Sequence, residues 1–253
     1  MRSRLASLIV MLVVVSPTLA GDHDDRVQVS GDSDERAIEI AQSVMEAMGG
    51  WETWDRTRFL SWKFFGRRQH YWDRWTGDVR ISGVMGDGSE MLWLMNVNSE
   101  EGRVWKNGSE VTDPAELASM LETGRKIWVN DSYWLIMPYK LLDPGVTLKY
   151  SGERALEDGR VADVLDLTFT DVGYTPDNRY EVFVAKDSGL VEQWSFYEKA
   201  AAEEPGFTGP WGKWERFGGV MLATDHGRGI DWEIAVHDDL PGSLFTDPDA
   251  ASP

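Results

Sequence analysis

The amino-acid sequence predicts a mainly β fold of the α+β class. It would be a strongly curved antiparallel sheet, or unclosed β-barrel, of about 10–11 strands with two or three helices covering one side. Apolar residues alternate with a period of two over most of the chain after Thr57. Turn signals such as Asn107-Gly108, Asp158-Gly159 and Ser188-Gly189 interrupt that alternation at short intervals. Strand–helix–strand alternation, the mark of a parallel sheet, is missing, and an open sheet of this many strands curls or closes.

Composition excludes several classes. The chain has 253 residues, 42% hydrophobic and 27% charged, an ordinary globular balance with ample length for a core. Cysteine is absent, which excludes disulfides, thiolate metal sites, a cysteine nucleophile and a lipid-modified N-terminal cysteine. A net charge of −18 argues against nucleic acid as a partner and, through self-repulsion, for a monomer.

The N-terminus reads as an export signal. Arg2 and Arg4 precede an apolar run, Leu5–Val15, and Ser16-Pro17-Thr18-Leu19-Ala20 offers small residues for cleavage after Ala20. The run is shorter than the ~20 residues of a membrane-spanning helix. Residues 1–20 are thus expected to be a signal peptide and the mature protein to be periplasmic or secreted. Absent cysteine fits a bacterial envelope. Residues 21–31, with Asp22-His23-Asp24-Asp25, read as a disordered acidic leader. Residues 32–253 would form a single domain.

In chain order, Asp32 or Ser33 caps a first helix, with Glu35 completing a capping box. Ala37, Ile40, Ala41, Val44, Met45 and Met48 form its apolar stripe, and Gly49-Gly50 ends it. Strands follow near Phe59–Phe65, Gln69–Trp75, Val79–Ser82, Glu90–Val97 and Arg103–Lys106. Asp113 at the cap, Pro114 and Glu116 then start a second helix whose stripe is Leu117, Met120, Leu121, Ile127 and Trp128, ending near Asn130. An aromatic segment, Tyr133–Leu142, leads to a turn at Asp143-Pro144-Gly145. Strands return at Val146–Arg154, Arg160–Thr170, Arg179–Ala185 and Leu190–Lys199. Ala200–Pro210 reads as a loop, and Trp214–Thr224 and Ile230–His237 as the last strand pair.

Among residues that carry chemistry, no nucleophile elbow, phosphate loop, dinucleotide fingerprint or zinc helix motif appears. The four histidines, His23, His70, His226 and His237, lack metal-ligand spacing, so neither a metal nor a cofactor is expected. Thirteen tryptophans spread over the chain. They either fill a core, line an open apolar cavity or stack on sugars. Basic residues cluster between Arg56 and Arg80. Among them Arg67, Arg68 and Arg74 either clamp an anionic headgroup at a cavity rim or pair across strands with the abundant acids.

Several long segments carry a family resemblance: Met48-Gly49-Gly50-Trp51-Glu52-Thr53-Trp54, Arg58-Phe59-Leu60-Ser61-Trp62, Phe64-Phe65-Gly66-Arg67-Arg68 with Trp72-Asp73-Arg74, Trp134–Leu141 and Tyr174-Thr175-Pro176-Asp177-Asn178. Together they resemble an exported bacterial family of unassigned function that is grouped with LolA/LolB-like outer-membrane lipoprotein-sorting proteins. The resemblance implies an unclosed β-barrel with helices lidding a hydrophobic cavity, and it carries no site residue over. The chain lacks the lipobox cysteine of membrane-anchored LolB-like members. The resulting expectation is a non-catalytic carrier or sensor of lipid or acylated protein, with an envelope membrane partner. Its ligand would contact Trp62, Phe64, Trp72, Trp93, Met95, Trp105, Trp134, Met137, Trp194 and Phe196. An envelope enzyme acting on glycan or lipid, or an interaction module with a filled core, stands as the alternative.

Overall fold

The computed structural model describes residues 26–170, 174 and 177–253. The expected signal peptide and the run Asp22–Asp25 lie outside the described residues. Within the expected disordered leader, backbone is already docked: the N–H of Gln28 donates to Leu142 O at 3.0 Å and that of Ser30 to Val146 O at 2.8 Å. Val27 and Val29 pack against the core, which is why this polar-looking segment is held.

Helix α1 (Glu35–Ala47) buries Ala37, Ile40, Ala41, Val44 and Met45, the stripe read from the sequence. Its N-cap is Asp34, and no side chain caps it. Ser33 Oγ instead accepts from Leu148 N–H at 3.1 Å, and the Asp34 carboxylate accepts from Tyr150 N–H at 3.0 Å. The neighbouring strand has taken the acceptors that a capping box would use. Gly49-Gly50 ends α1 as read, but helix resumes at once: Gly49, at φ 116°, turns the chain directly into α2 (Gly50–Arg56). A Cβ on Gly49 would lie 2.6 Å from Gly219 O, so the tight approach and the left-handed backbone both demand glycine.

Strands β1 (Phe59–Phe64), β2 (Arg68–Asp73), β3 (Asp78–Val84), β4 (Glu90–Asn96), β5 (Gly102–Lys106) and β6 (Ser109–Glu110) then run as an antiparallel meander. Helix α3 (Pro114–Ile136) starts as expected, with Asp113 accepting from the N–H groups of Ala115 and Glu116. It does not stop near Asn130. It carries Tyr133–Ile136 as its last turn and passes into a 3-10 turn, Met137–Lys140. A second meander follows: β7 (Val146–Ala155), β8 (Val161–Phe169), β9 (Arg179–Ala185), β10 (Val191–Tyr197) and β11 (Phe207–Pro210), the last inside the expected loop. Trp214–Thr224 is a hairpin and not one strand, β12 (Gly212–Phe217) with β13 (Val220–Asp225). Its turn is Gly218-Gly219, with Gly218 at φ 60°. The final strand, β14 (Ala235–His237), returns to pair with β1.

Among the described residues the architecture is therefore mainly antiparallel β, unclosed, with three α-helices. A seven-stranded sheet has the order β14-β1-β2-β3-β4-β5-β6, a five-stranded sheet the order β11-β10-β9-β8-β7, and β12-β13 forms a ribbon. That makes fourteen strands in place of ten or eleven.

One core joins both sheets. Leu60, Trp62, Val79, Ile81, Trp93, Met95 and Val104 face it from the larger sheet, and Leu165, Leu167, Val182, Val184 and Trp194 from the smaller. Helix α3 enters that space over β4, where Gly124 lies against the Trp93 ring and Trp93 Nε1 donates to Met120 O at 2.8 Å. On the opposite face of the larger sheet Phe59, Tyr71, Leu240 and Leu244 form a smaller cluster. There Arg80 holds the C-terminal segment by donating to Leu244 O, Asp247 O and Pro248 O at 2.9–3.1 Å.

Candidate functional site: the aromatic grooves beside α3

The C-terminal half of α3 is anchored by a buried polar cluster. Asp131 is fully enclosed and accepts from Arg68 Nε and Nη2 at 2.6 and 2.8 Å, from Asn130 Nδ2 at 2.9 Å, and bonds His70 Nε2 at 2.8 Å. Burial pushes the Asp131 carboxyl up, but the hydrogen bonds from His70 and Arg68 outweigh it and hold it below the usual carboxylate range. Burial pushes His70 down, so the neutral ring donates from Nε2 while stacking on Trp62 at 4.4 Å and 4°. Arg68 and His70 sit two residues apart on β2 and therefore on one face of the strand.

This anchor leaves a groove on each side of α3. The first, about 600 Å³, is lined by Phe64, Phe65, Trp134, Tyr180, Trp194, Phe196 and Phe207, with Asn130, Asn178, His226 and Arg228 as its polar part. Its rings interlock. Trp134 and Trp194 meet edge to face at 4.6 Å, Tyr180 stacks on Trp194 at 5.3 Å, and Phe65 meets Trp134 at 5.5 Å. The second groove, about 510 Å³, is lined by Trp72, Trp128, Tyr133, Ile136, Val146 and Phe169, with Arg125, Lys140 and Asp143 also lining it. Tyr133 and Tyr180, 5.7 Å apart, stand between the two. Both volumes fall in the ~300–1,000 Å³ range of small-molecule sites.

The expected contact residues separate into three groups. Phe64, Trp134, Trp194 and Phe196 come together in the first groove, and Trp72 lines the second. Trp62, Trp93, Met95 and Met137 line none of these grooves; each is at most 3% exposed and belongs to the core, because β1 and β4 are internal strands of the larger sheet and the 3-10 turn packs Met137 into the same cluster. Trp105 lies on the other face of the larger sheet, in a cleft of about 490 Å³ with Leu92, Val84 and Pro248. Strand alternation explains it: Val104 points into the core, so Trp105 points out.

The expected headgroup arginines are largely committed elsewhere. Arg68 is tied to Asp131. Arg74 lies 3.5 Å above the Trp54 ring and donates to the carbonyls of Trp54 and Thr57, and burial lowers its pKa to about 10. Arg67 is exposed. The groove's own cation is Arg228, which lies between the last two strands read from the sequence and was not among the candidates, with its guanidinium 5.2 Å from the Phe65 centroid. Tyr180 and Phe207 were also missed, Phe207 because its segment is rich in glycine and proline.

Other polar pairs lie away from the grooves. Ser61 Oγ is 2.8 Å from His237 Nε2, but Ser61 shares the outward face of β1 with Phe59. Among the described residues no group of acidic and histidine side chains is placed to hold a metal. No described helix is long and apolar enough to cross a membrane.

An unclosed antiparallel fold with an aromatic groove beside an anchored helix defines the class of this molecule. No protein-family model matches the chain, and neither does any curated protein. Among solved structures it is similar to a DUF1329 family protein from Desulfovibrio piger, with 14% identity and a TM-score of 0.43 over 83% of this chain and 96% of that one. It is similar to the Mycobacterium tuberculosis lipoprotein LppX at 14% identity and a TM-score of 0.29, covering 65% of this chain and 88% of that one. The Pseudomonas aeruginosa MucA/MucB complex gives 20% identity and a TM-score of 0.24, over 64% of this chain and 50% of that one. The chain spans about half the length of the MucB chains it matches. Similarity at these scores is partial.

Proposed function

We propose that this chain is an exported, non-catalytic binding protein that holds the acyl chain of a lipid or acylated protein in the groove between α3 and the smaller sheet. The observation that supports it most is the lining: seven aromatic side chains around about 600 Å³, beside a helix held by its own buried anchor. An acyl chain needs no polar motif to bind. At ~0.8 kcal/mol per buried CH₂, a chain of about sixteen carbons gains on the order of 10 kcal/mol before ordering costs. Open volume on both sides of α3 favours this reading over a filled core. The basic start, apolar run and small residues before Ala20 support export, and in this reading the protein is a periplasmic monomer of one domain that meets a membrane to exchange ligand.

Titration of the mature chain with 11-(dansylamino)undecanoic acid tests the proposal. Saturable enhancement of the probe, competed by palmitate and weakened at least tenfold by Phe207→Asp or Phe196→Asp, is the expected result. Phe207 is 37% exposed, so its replacement spares the core. Failure of the probe to bind, or equal binding by both variants, would overturn it.

A further inference from the structure

The polar part of the first groove holds groups whose hydrogen-bonding needs the chain does not meet. His226 lines the groove, is 2% exposed, and bonds Ala223 O through Nε2 at 3.1 Å. A carbonyl can only accept, so Nε2 carries the proton and Nδ1 is left as an acceptor. Nδ1 is buried and has no partner among the described residues. The ring cannot readily turn away, since it lies edge-on to Trp211 at 4.6 Å and 4.2 Å from Trp232. Trp194 Nε1, in the same lining, is a buried donor with no partner among the described residues.

Arg228 adds a charge. It follows His226 by two residues, is exposed, and makes no ion pair among the described residues. Arg67, Arg74, Arg80, Lys106, Lys199 and Arg216 also lack an ion pair among the described residues, but of these seven cations only Arg228 lines the first groove. Arg58, Arg68, Arg103, Arg154, Arg160 and Arg179 are all matched to carboxylates. A guanidinium left over an aromatic ring at a groove is placed for an incoming anion.

Building on the acyl-binding proposal, we propose that His226 and Arg228 select the ligand's head: an acyl ester whose head is an anion bearing a hydroxyl, as in a glycerophosphate. The anion meets Arg228, the hydroxyl donates to His226 Nδ1, and the ester carbonyl accepts from Trp194 Nε1. Because Nδ1 is enclosed, a donor as small as a hydroxyl reaches it with the least movement of the groove wall. A partnerless buried acceptor costs free energy until a ligand supplies that donor, so the donor adds selectivity beyond chain burial.

Four probes with the same chain and a carbonyl separate the contributions: methyl palmitate with neither feature, monopalmitoylglycerol with hydroxyls alone, palmitate with the anion alone, and palmitoyl lysophosphatidylglycerol with both. Displacement of the dansyl probe from the mature chain reads their affinities. The expected order puts lysophosphatidylglycerol about tenfold or more ahead of each single-feature probe, and methyl palmitate last. Arg228→Gln removes the advantage of the anion and keeps that of the hydroxyl; His226→Phe does the reverse. If the His226 variant does not fold, the comparison of monopalmitoylglycerol with methyl palmitate on the unaltered chain decides the role of the hydroxyl. Equal affinity for all four probes overturns head selection and leaves acyl binding standing. Failure of every probe to bind overturns the acyl proposal itself.

Discussion

Replacing Asp131 by alanine removes the one carboxylate that Arg68 and His70 share. Asp131 is fully buried, and its oxygens receive the two Arg68 bonds at 2.6 and 2.8 Å and the His70 bond at 2.8 Å. Without it, an arginine whose side chain is only 18% exposed and a fully buried imidazole N–H face each other with no acceptor. Removing one partner of a buried pair costs about 3–5 kcal/mol, because the remaining charge stays desolvated. That is a large share of the ~5–15 kcal/mol by which a folded chain is stable. Near 2–4 °C per kcal/mol for chains of this size, the melting temperature should fall by about 6–20 °C. Asp131→Asn, which keeps one acceptor oxygen, should cost less. Urea unfolding followed by circular dichroism measures each variant. Helix α3 borders both grooves, so the alanine variant should also bind the dansyl probe more weakly under conditions where it remains folded. An Asp131→Ala chain within 1 kcal/mol of the unaltered one would refute the reasoning that this cluster pins α3.

Further outcomes follow from individual contacts. Burial lowers the His226 pKa to about 4, from 6.5, so the unfolded chain binds more protons between those values. The stability His226 contributes is complete above pH 6.5 and is lost as pH falls toward 4, on the order of 3 kcal/mol in all, with His70 shifted in the same direction. Urea midpoints at pH 7.5, 6 and 5 should decline, and no decline would contradict the burial of both rings. Gly124→Val would place a Cβ 2.6 Å from Trp93 Cδ1, and overpacking of this kind costs about 1–3 kcal/mol, more than the gain in helix propensity; thermal melting checks it. Arg80→Ala frees the three carbonyls that hold the C-terminal segment, so limited proteolysis should trim residues after Asp239 faster while the grooves keep their ligand.

Period-two alternation made most strands legible, and β9 has the bounds read for it, because a half-buried antiparallel strand writes its burial directly into its sequence. What could not be read rests on tertiary contacts. The last turn of α3 holds Tyr133, Trp134 and Ile136, residues of modest helix propensity, and the two tryptophans Trp134 and Trp194 hold it in place. The short α2 hides behind Gly49-Gly50, which reads as a stop and acts as a hinge between two helices. At the site, apolar type alone selected Phe64, Trp134, Trp194 and Phe196 together with Trp62, Trp93, Met95 and Met137. Strands apolar on both faces do not say which residues a crossing helix will cover. The fate of the arginines was equally hidden. Arg68 meets Asp131 across 63 positions of sequence, a pairing that only the docking of α3 on β2 creates.

The most direct test of acyl binding beside α3 is to locate a bound chain. A photoreactive palmitate carrying a diazirine near its methyl end, irradiated with residues 21–253 and mapped by peptide mass spectrometry, does this without altering a residue. Groove binding predicts labelling within 62–68, 130–137, 178–196 and 207, suppressed by excess palmitate. Labelling confined to the outer cleft around Leu92, Trp105 and Pro248, or none that palmitate suppresses, would contradict it.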